Sequence, residues 1–375
     1  MTEHPFPRTD PKPPGVLPSQ SLVDLIHTGA IKATDPIDDE QIQPASIDLR
    51  LGDKAYRVRA SFLPGKRNTV KQRIDALAMH EFDLAGGAVL ERGCVYIVPL
   101  MESVNLPPDH GAIGNPKSST GRLDVFTRLI TDFGVEFDQI KSGYAGPVYA
   151  EIAPRTFSVL VRKGSRLNQL RIRRGLATRS DAEHYRLQEE LKVIDAPLSQ
   201  DDIKNGVPIT VDVAGDPDTG LIGYRAKSHA GLIDMDKKNH YPVEDFWEPI
   251  HRSNGPSLIL DPGEFYILAS KEAVRVPIDY AAEMIAYDTL VGEFRVHYAG
   301  FFDPGFGDPG AGGHGAKAVL EVRSFEVPFV IEHGQIVGRL VYEPLAEKPT
   351  KVYGQTLKSN YQSQGLKLSK HFVTL

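Results

Sequence analysis

The feature that most constrains the fold of this 375-residue chain is an internal repeat with a constant offset. Matching residue types recur 170 positions apart along both halves of the chain. The pairs are Leu90 and Leu260, Gly93 and Gly263, Tyr96 and Tyr266, Glu102 and Glu272, Val104 and Val274, Pro107 and Pro277, Glu151 and Glu321, and Gly164 and Gly334. This period is too long for a solenoid. It favours two copies of one domain, joined near residues 185–200, over two unrelated domains with similar turns.

The local pattern of the chain indicates that both copies are β domains. Short runs rich in Val, Ile, Tyr and Phe are separated by turn residues, which is typical of a sandwich or barrel. Examples are CVYIVPL (94–100), SVLVRKG (158–164), LILDPGEFYIL (258–268) and EVPFVIEHG (326–334). Helical signals are few. One predicts a helix from Ser21 to Gly29, and the other predicts a charged surface helix from Asp181 to Leu191.

Charge and composition exclude several classes of function. The net charge of −6 argues against a broad nucleic-acid-binding surface, although a local basic pocket for a small anion is compatible with it. The single cysteine, Cys94, leaves no disulfide within the chain and no cysteine-based metal cluster. No apolar run has the length of a membrane span, and the N-terminal MTEHPFPRTDPKPPG has no apolar signal core. We therefore expect a cytoplasmic protein without membrane or nucleic-acid partners.

The segment NPKSSTGRLDVF (115–126) has the composition of a phosphate-binding loop. Ser118 and Ser119 follow Lys117 and precede Arg122. Hydroxyls, backbone amides and a planar guanidinium can all donate hydrogen bonds to phosphate oxygens. By itself, SSTG is also a common turn.

Two further patterns indicate a second part of a site. In HYAGFFDPGFG (297–307), small residues allow close approach of the backbone to a ligand, and DPG is a strong turn signal. In AVLEV (318–322) and VYAEI (148–152), a lone glutamate interrupts an apolar strand. A glutamate is seldom buried without a partner or a purpose, so Glu321 and Glu151 are candidate functional residues. The alternative for each is a surface ion pair at a strand edge.

Taken in order, these segments resemble the dCTP deaminases of the dUTPase-like superfamily. The resemblance includes IQPASIDLRLG (42–52) and the tail YGQTLKSNYQSQG (353–365), so it covers nearly the whole chain. The longer, duplicated bacterial form of the family is the most similar. The resemblance implies an all-β fold of two tandem dUTPase-like distorted jelly-roll (β-clip) barrels with few short helices. We place these domains at residues 1–185 and 200–375.

The resemblance also implies a set of site residues and a small-molecule nucleotide as the partner of a homo-oligomeric protein. The strand glutamate would be the general base, and Ser118 and Arg122 would assist it. The backbone of the hairpin would read the cytosine edge, an aspartate would contact the sugar, and the tail would cover the nucleotide. The expected nucleotide-binding residues are Lys117, Ser119, Ala299, Gly300, Asp303, Tyr353 and Gln364.

The two halves are not equivalent in these motifs. At the offset of the serine motif, the second half carries Asp288, Thr289 and Gly292, and the first half lacks the Ala-Gly hairpin. We therefore favour a composite site, with phosphate groups from the first half and the base pocket and Glu321 from the second. The alternative is a ring of three first-half domains in which Glu151 is the base.

The expected chemistry is hydrolytic deamination of dCTP to dUTP and ammonia without zinc. Zinc-dependent deaminases use a H-x-E and a P-C-x-x-C signature, and a chain with one cysteine cannot supply it. A partly desolvated carboxylate can serve instead as both base and acid. Mg²⁺ is expected only as the counter-ion of the triphosphate. The alternatives are a dUTPase, a bifunctional enzyme that forms dUMP, and a non-catalytic nucleotide-binding module.

Overall fold

The protein is mostly β-structure with a few short helices. The computed structural model describes residues 12–177, 179–252, 255, 257–286, 294–296, 300–324, 326–354 and 365–373. No helix among these residues is long and apolar enough to cross a membrane.

The first half is built from strands in three sheets. The strands are β1 (Gly15–Val16), β2 (Ile31–Ala33), β3 (Ile47–Arg50), β4 (Lys54–Val58), β5 (Ala78–Asp83), β6 (Ala88–Leu90), β7 (Val95–Asn105), β8 (His110–Pro116), β9 (Val125–Thr131), β10 (Gln139–Ile140), β11 (Ala145–Pro154), β12 (Val159–Val161) and β13 (Arg166–Arg174). The helices are α1 (Ser19–His27), α2 (Val70–Leu77) and α3 (Ser118–Gly121), with a 3-10 turn at Asp39–Gln41.

The second half repeats this plan. Its strands are β14 (Val207–Thr210), β15 (Leu221–Ala226), β16 (Ile233–Asp234), β17 (Trp247–His251), β18 (Ser257–Leu260), β19 (Phe265–Val274), β20 (Tyr280–Ala286), β21 (Phe294–Val296), β22 (Phe301–Phe302), β23 (Ala316–Ser324), β24 (Phe329–Glu332) and β25 (Ile336–Pro344). The helices are α4 (Asp181–Leu191) and α5 (Val243–Phe246), with 3-10 turns at Gln200–Asp202 and Pro309–Ala311.

The repeat read from the sequence is a repeat of strand pairing. β7 pairs with β11 and β8 with β13 in the first half, and β19 pairs with β23 and β20 with β25 in the second. The register is also preserved: Glu151 lies opposite Ile97, and Glu321 lies opposite Ile267. The two glutamates therefore occupy the same position in two copies of one sheet.

Each of the four strand runs named from the sequence contains β-structure, and one of them contains two strands. The run 258–268 is divided into β18 and β19. Gly263 adopts a φ of 75° in the turn between them, a backbone conformation that glycine accepts without strain.

Three local expectations need correction. The helix predicted from Ser21 begins at Ser19, behind Pro18 as its N-cap. Helix α4 has the predicted bounds, but it is not simply a surface helix, because Leu187 packs into the core of the second half. The alternation of apolar and charged residues in IDLRL (47–51) predicts a strand with one buried face, yet all four residues of β3 are buried. Its polar face is satisfied by ion pairs.

A fully buried arginine connects the two halves. Arg171, on β13, donates hydrogen bonds to the carbonyl oxygens of Ala282 (2.8 Å) and Phe302 (3.2 Å) of the second half. Its guanidinium also stacks on the Phe301 ring, 4.1 Å from the centroid, and lies 3.6 Å from Asp303 Oδ1. A buried cation with these partners holds the hairpin of the second half against the first half.

The second half also extends across the first. Strand β16 pairs in parallel with β12. The only tryptophan of the chain, Trp247, packs against Phe157 of the first half at a centroid distance of 5.5 Å and is 1% exposed. Its fluorescence should therefore report on the contact between the halves.

We predict that Arg171→Met lowers the free energy of unfolding by about 2–4 kcal/mol, because it leaves two buried carbonyl oxygens without a donor and Asp303 without its cation. Denaturant unfolding followed by Trp247 fluorescence measures the change. Arg67→Met, at an exposed position, is the matched control and should stay within about 0.5 kcal/mol of the wild type. An equally stable Arg171→Met protein would show that this residue does not hold the halves together.

Candidate active site

A cavity of about 690 Å³ lies between the two halves. This volume is within the usual range for sites that bind small molecules. Residues from both halves line it, among them Ser118 and Arg122 from the first half and Gly300, Asp303 and Glu321 from the second.

The phosphate-binding motif of the first half forms a tight turn at the floor of the cavity. Strand β8 ends at Pro116, and α3 makes a single turn over Ser118–Gly121. Asp124 follows with a φ of 55°, which reverses the chain into β9. The motif therefore presents Lys117, Ser118, Ser119 and Arg122 to one cavity.

The C-terminal segment holds this motif in place. Arg122 Nη1 donates a hydrogen bond to the carbonyl oxygen of Lys367 (3.0 Å). Ser369 Oγ donates to the carbonyl oxygen of Ser119 (2.8 Å), and it lies 2.9 Å from His371 Nδ1. Burial lowers the pKa of His371 to about 4, so this histidine is neutral at physiological pH. The end of the chain is thus part of the site.

The hairpin of the second half forms the opposite wall. Phe306 N donates to Asp303 O (3.1 Å) across Pro304 and Gly305, whose φ is 92°. Proline followed by a glycine with positive φ is the arrangement of a type II turn, so the DPG turn read from the sequence is confirmed. A methyl group added at Gly300 would lie 3.9 Å from Ser118 Oγ. The hairpin and the serine motif therefore face one another.

Glu321 lines the cavity, yet it is buried and only 5% exposed. Its Oε1 lies 3.9 Å from Arg122 Nε. Burial raises the pKa of Glu321 to about 8, and the charge of Arg122 only partly opposes this shift. A carboxyl group with this pKa can give and take a proton near neutral pH.

Two aspartates lie in the middle of the cavity. Burial raises the pKa of Asp303 to about 6, against the opposing charge of Arg171. Asp48, on β3, accepts a hydrogen bond from Lys117 Nζ through Oδ2. The other oxygen of Asp48 has no hydrogen-bond partner among the described residues. Asp48 thus holds Lys117, and its second carboxylate oxygen is a buried acceptor.

Glu151, the counterpart of Glu321, is in a different environment. Arg128 Nε donates to Glu151 Oε1 at 3.2 Å, and the Arg128 guanidinium lies 3.4 Å from the centroid of the Phe137 ring. Glu151 is 1% exposed and does not line the cavity. The Glu151 carboxylate consequently forms an ion pair with Arg128 inside the first half.

The structure brings together most of the residues proposed from the sequence and separates one. The cavity lining includes Lys117, Ser118, Ser119, Arg122, Gly300, Asp303, Glu321 and Tyr353. Glu151 lies elsewhere, and Ala299 and Gln364 lie outside the described residues. The grouping is that of the composite site, formed within one chain.

Comparison with family models accounts for almost the whole chain. The N-terminal domain model of 2'-deoxycytidine 5'-triphosphate deaminase matches residues 13–176, and the C-terminal domain model matches residues 180–372. The chain belongs to the dCTP deaminase family.

Relatives within the dCTP deaminase family fall into two groups by length. The dUMP-forming dCTP deaminase of Streptomyces coelicolor is 30% identical over 160 residues, which cover 42% of this chain and 78% of that protein. The dCTP deaminase of Halorubrum lacusprofundi is 26% identical over 159 residues, which cover 41% of this chain and 75% of that protein. The crystal structure of the Agrobacterium tumefaciens dCTP deaminase matches at 55% identity and a TM-score of 0.85, covering 90% of this chain and 99% of that one.

Several residues that line the cavity were not among those predicted from the sequence. Asp48 stood within the quoted IQPASIDLRLG segment, where an aspartate on a buried strand was a usable signal. Arg166, Lys238 and Lys370 also line the cavity. No local pattern distinguishes these three from surface cations, because they meet only after the chain has folded.

Within the described part of the chain, no group of three or more His, Cys, Asp and Glu side chains comes together to hold a metal ion. Cys94 is half-buried, and its sulfur accepts a hydrogen bond from Arg57 Nη2 (3.0 Å).

The raised pKa of Glu321 predicts an unusual dependence of stability on pH. The native carboxyl group keeps its proton up to about pH 8, whereas its ordinary pKa is 4.5. Raising the pH through this window therefore lowers the stability of the wild type. Glu321→Gln removes the titration, so we expect this variant to gain roughly 3–5 kcal/mol over the wild type between pH 5 and pH 9.

Glu151→Gln is the matched control, with the same substitution at the equivalent strand position. It removes the buried ion pair with Arg128, so it should be less stable than the wild type at pH 9 rather than more stable. Chemical denaturation at pH 5, 7 and 9 compares the three proteins. A constant offset between Glu321→Gln and the wild type at all three pH values would contradict a buried, protonated Glu321.

Proposed function

We propose that this chain catalyses the hydrolytic deamination of dCTP to dUTP and ammonia, with Glu321 as the general base. The observation that carries the proposal is the placement of Glu321, buried and 3.9 Å from Arg122, in the cavity that also contains the serine motif. Membership of the dCTP deaminase family supports the substrate.

The reaction replaces the C4 amine of cytosine by oxygen. Glu321 takes a proton from water while the water oxygen bonds to C4, and it delivers a proton to N3. The C4–N4 bond then breaks, ammonia leaves with the second proton of the water, and the base becomes uracil. A carboxyl group with a pKa near 8 suits both transfers.

Arg122 and Ser118 would assist this step from the first half. The guanidinium of Arg122 is close enough to Glu321 to favour its ionised form. Its position is fixed by the Lys367 carbonyl. A preorganised charge of this kind stabilises a transition state at little cost in reorganisation. The Ser118 hydroxyl, across from Gly300, would orient the water.

The hairpin and the first half would divide recognition of the rest of the nucleotide. The backbone near Gly300 would face the cytosine, and Asp303 would accept a hydrogen bond from the sugar. The serine motif would bind phosphates, which arrive complexed with Mg²⁺ as part of the substrate. In this proposal each half retains the distorted jelly roll of the dUTPase-like superfamily, with the preserved strand pairing as support.

A second candidate is direct formation of dUMP. The relatives from Streptomyces coelicolor and Beutenbergia cavernae are named as dUMP-forming dCTP deaminases, the latter being 29% identical over 139 residues. The same cavity could then hold dUTP for attack on its phosphate chain.

Incubation with dCTP and Mg²⁺, followed by separation of all nucleotides, distinguishes the candidates. We expect dUTP and ammonia in equal amounts, with no pyrophosphate. A zinc-specific chelator should leave the rate unchanged. Formation of dUMP and pyrophosphate would establish the bifunctional alternative, and dCTP recovered unchanged from a folded, nucleotide-binding protein would indicate a non-catalytic module.

The identity of the base is tested by comparing two glutamine substitutions. Glu321→Gln should lower kcat for deamination by at least about 10³-fold, since a glutamine amide cannot accept a proton from water. Binding of dCTP should persist. Glu151→Gln should retain most of the activity, because Glu151 is outside the cavity. A dead Glu151→Gln protein beside an active Glu321→Gln protein would overturn the composite site.

The pH profile gives an independent check on Glu321. The carboxyl group must be ionised to accept a proton from water, and burial raises its pKa to about 8. We therefore expect kcat/KM of the wild type to rise with pH, with a midpoint near pH 8, and to level off about one pH unit above it. A profile that is already flat above pH 6 would contradict this assignment.

A further inference from the structure

The cavity lining is rich in charged side chains. Glu321 lies beside Arg122. The lining also contains the carboxylates Glu40, Asp48 and Asp236 and four further cations: Lys117, Arg166, Lys238 and Lys370. Two of these, Lys238 and Lys370, come from the second half, whereas the serine motif comes from the first.

Hydrogen bonds place the two lysines of the second half beside the serine motif. The hydroxyl of Ser369, the neighbour of Lys370, donates to the carbonyl oxygen of Ser119. Asn239, the neighbour of Lys238, donates its backbone N–H to the carbonyl oxygen of Lys370 at 2.8 Å. A chain of hydrogen bonds and adjacent residues therefore runs from the serines to Lys370 and on to Lys238.

These two ammonium groups lack a carboxylate partner in the described structure. Lys117 is paired with Asp48, and Arg166 lies 3.2 Å from the exposed Asp38. No ion pair within 4 Å is formed by Lys238 or Lys370 among the described residues. The nearby Asp236 is engaged by Arg162 at 2.7 Å.

Electrostatics supports the same conclusion for Lys370. Burial, together with repulsion from Lys117 and Lys238, lowers the pKa of Lys370 to about 8. Holding an ammonium group half-buried among other cations is unfavourable, and a bound anion would remove the penalty. The cluster is thus complementary to a ligand of high negative charge.

The contacts of the cluster indicate which part of the ligand it meets. Glu321, the proposed base, is paired with Arg122. Lys370 is instead linked through Ser369 to the serine motif and lies near Lys117 and Lys238. We propose that Lys238, Lys370 and Arg166 bind the terminal phosphate of the nucleotide, so that the second half selects a triphosphate over a monophosphate. This inference rests on the proposed function, since it takes a deoxycytidine nucleotide as the ligand.

Binding of uracil nucleotides tests the proposal without turnover by deamination. The probes are deoxyuridine 5'-(α,β-imido)triphosphate, which resists hydrolysis between the α- and β-phosphates, and dUMP, both with Mg²⁺ in isothermal titration calorimetry. Lys370→Met and Lys238→Met keep the aliphatic stem and remove the charge. Each should weaken binding of the triphosphate analogue by at least 10-fold and change binding of dUMP by less than about threefold.

Lys237→Met is the matched control, because Lys237 neighbours Lys238 but does not line the cavity. Its affinity for both probes should equal that of the wild type. The dUMP affinity also shows that each variant is folded at the site. Equal losses for the two probes, or no loss for either, would overturn the terminal-phosphate assignment.

Failure of the inference is distinguishable from failure of the proposed function. If the wild type binds neither probe and leaves dCTP unchanged, the deaminase proposal fails, and this inference fails with it. If the wild type deaminates dCTP and the lysine variants keep the full preference for triphosphate, only the role of the cluster is wrong.

Discussion

The composite cavity depends on a buried cation, Arg171, that fixes the second half against the first. An arginine without exposure to water must satisfy its donors within the protein. It does so with carbonyl oxygens of β20 and β22, which belong to the other half. The hairpin at Gly300 is thereby set opposite Ser118. A second cross-half ion pair, between Arg323 and Asp124, restrains the turn that follows the serine motif.

The two copies of one strand glutamate lie in different environments. Glu151 and Glu321 share a register, so the fold alone does not distinguish them. The side chains around the two glutamates do distinguish them. In the first half, Arg128 extends over Phe137 to the carboxylate, and the resulting ion pair holds the charge. In the second half, the one cation that lies within 4 Å of the Glu321 carboxylate among the described residues is Arg122 of the other copy, at 3.9 Å. The effect of burial therefore exceeds that of the Arg122 charge, and the pKa of Glu321 rises.

The class of fold and most of the cavity residues could be predicted, because the sequence patterns that indicate them are either local motifs or repeated along the chain. The offset of 170 revealed two copies, and the DPG turn and the serine motif each lie within a dozen residues. The contribution of Lys238 and Lys370 could not be predicted in this way. Each is one lysine among many, and they meet through a main-chain contact at Asn239 between segments far apart in the chain. The sequence also could not decide between Glu321 and Glu151 as the candidate base. The difference depends on the ion pair that Arg128 forms with Glu151 in the folded protein.

The C-terminal segment couples the stability of the fold to the geometry of the site. Phe372 packs against Phe246 and Trp247, at centroid distances of 5.4 and 5.8 Å, so the end of the chain is anchored by apolar contacts. From that anchor, Ser369 and the Lys367 carbonyl reach Ser119 and Arg122. The arginine that tunes Glu321 is therefore positioned by a segment about 245 residues away in sequence. The apolar anchor at Phe372 and the buried Glu321 both belong to the second half. The second half therefore contacts the serine motif of the first half on two sides. A single chain thus brings the serine motif of one copy and the buried glutamate of the other into one cavity.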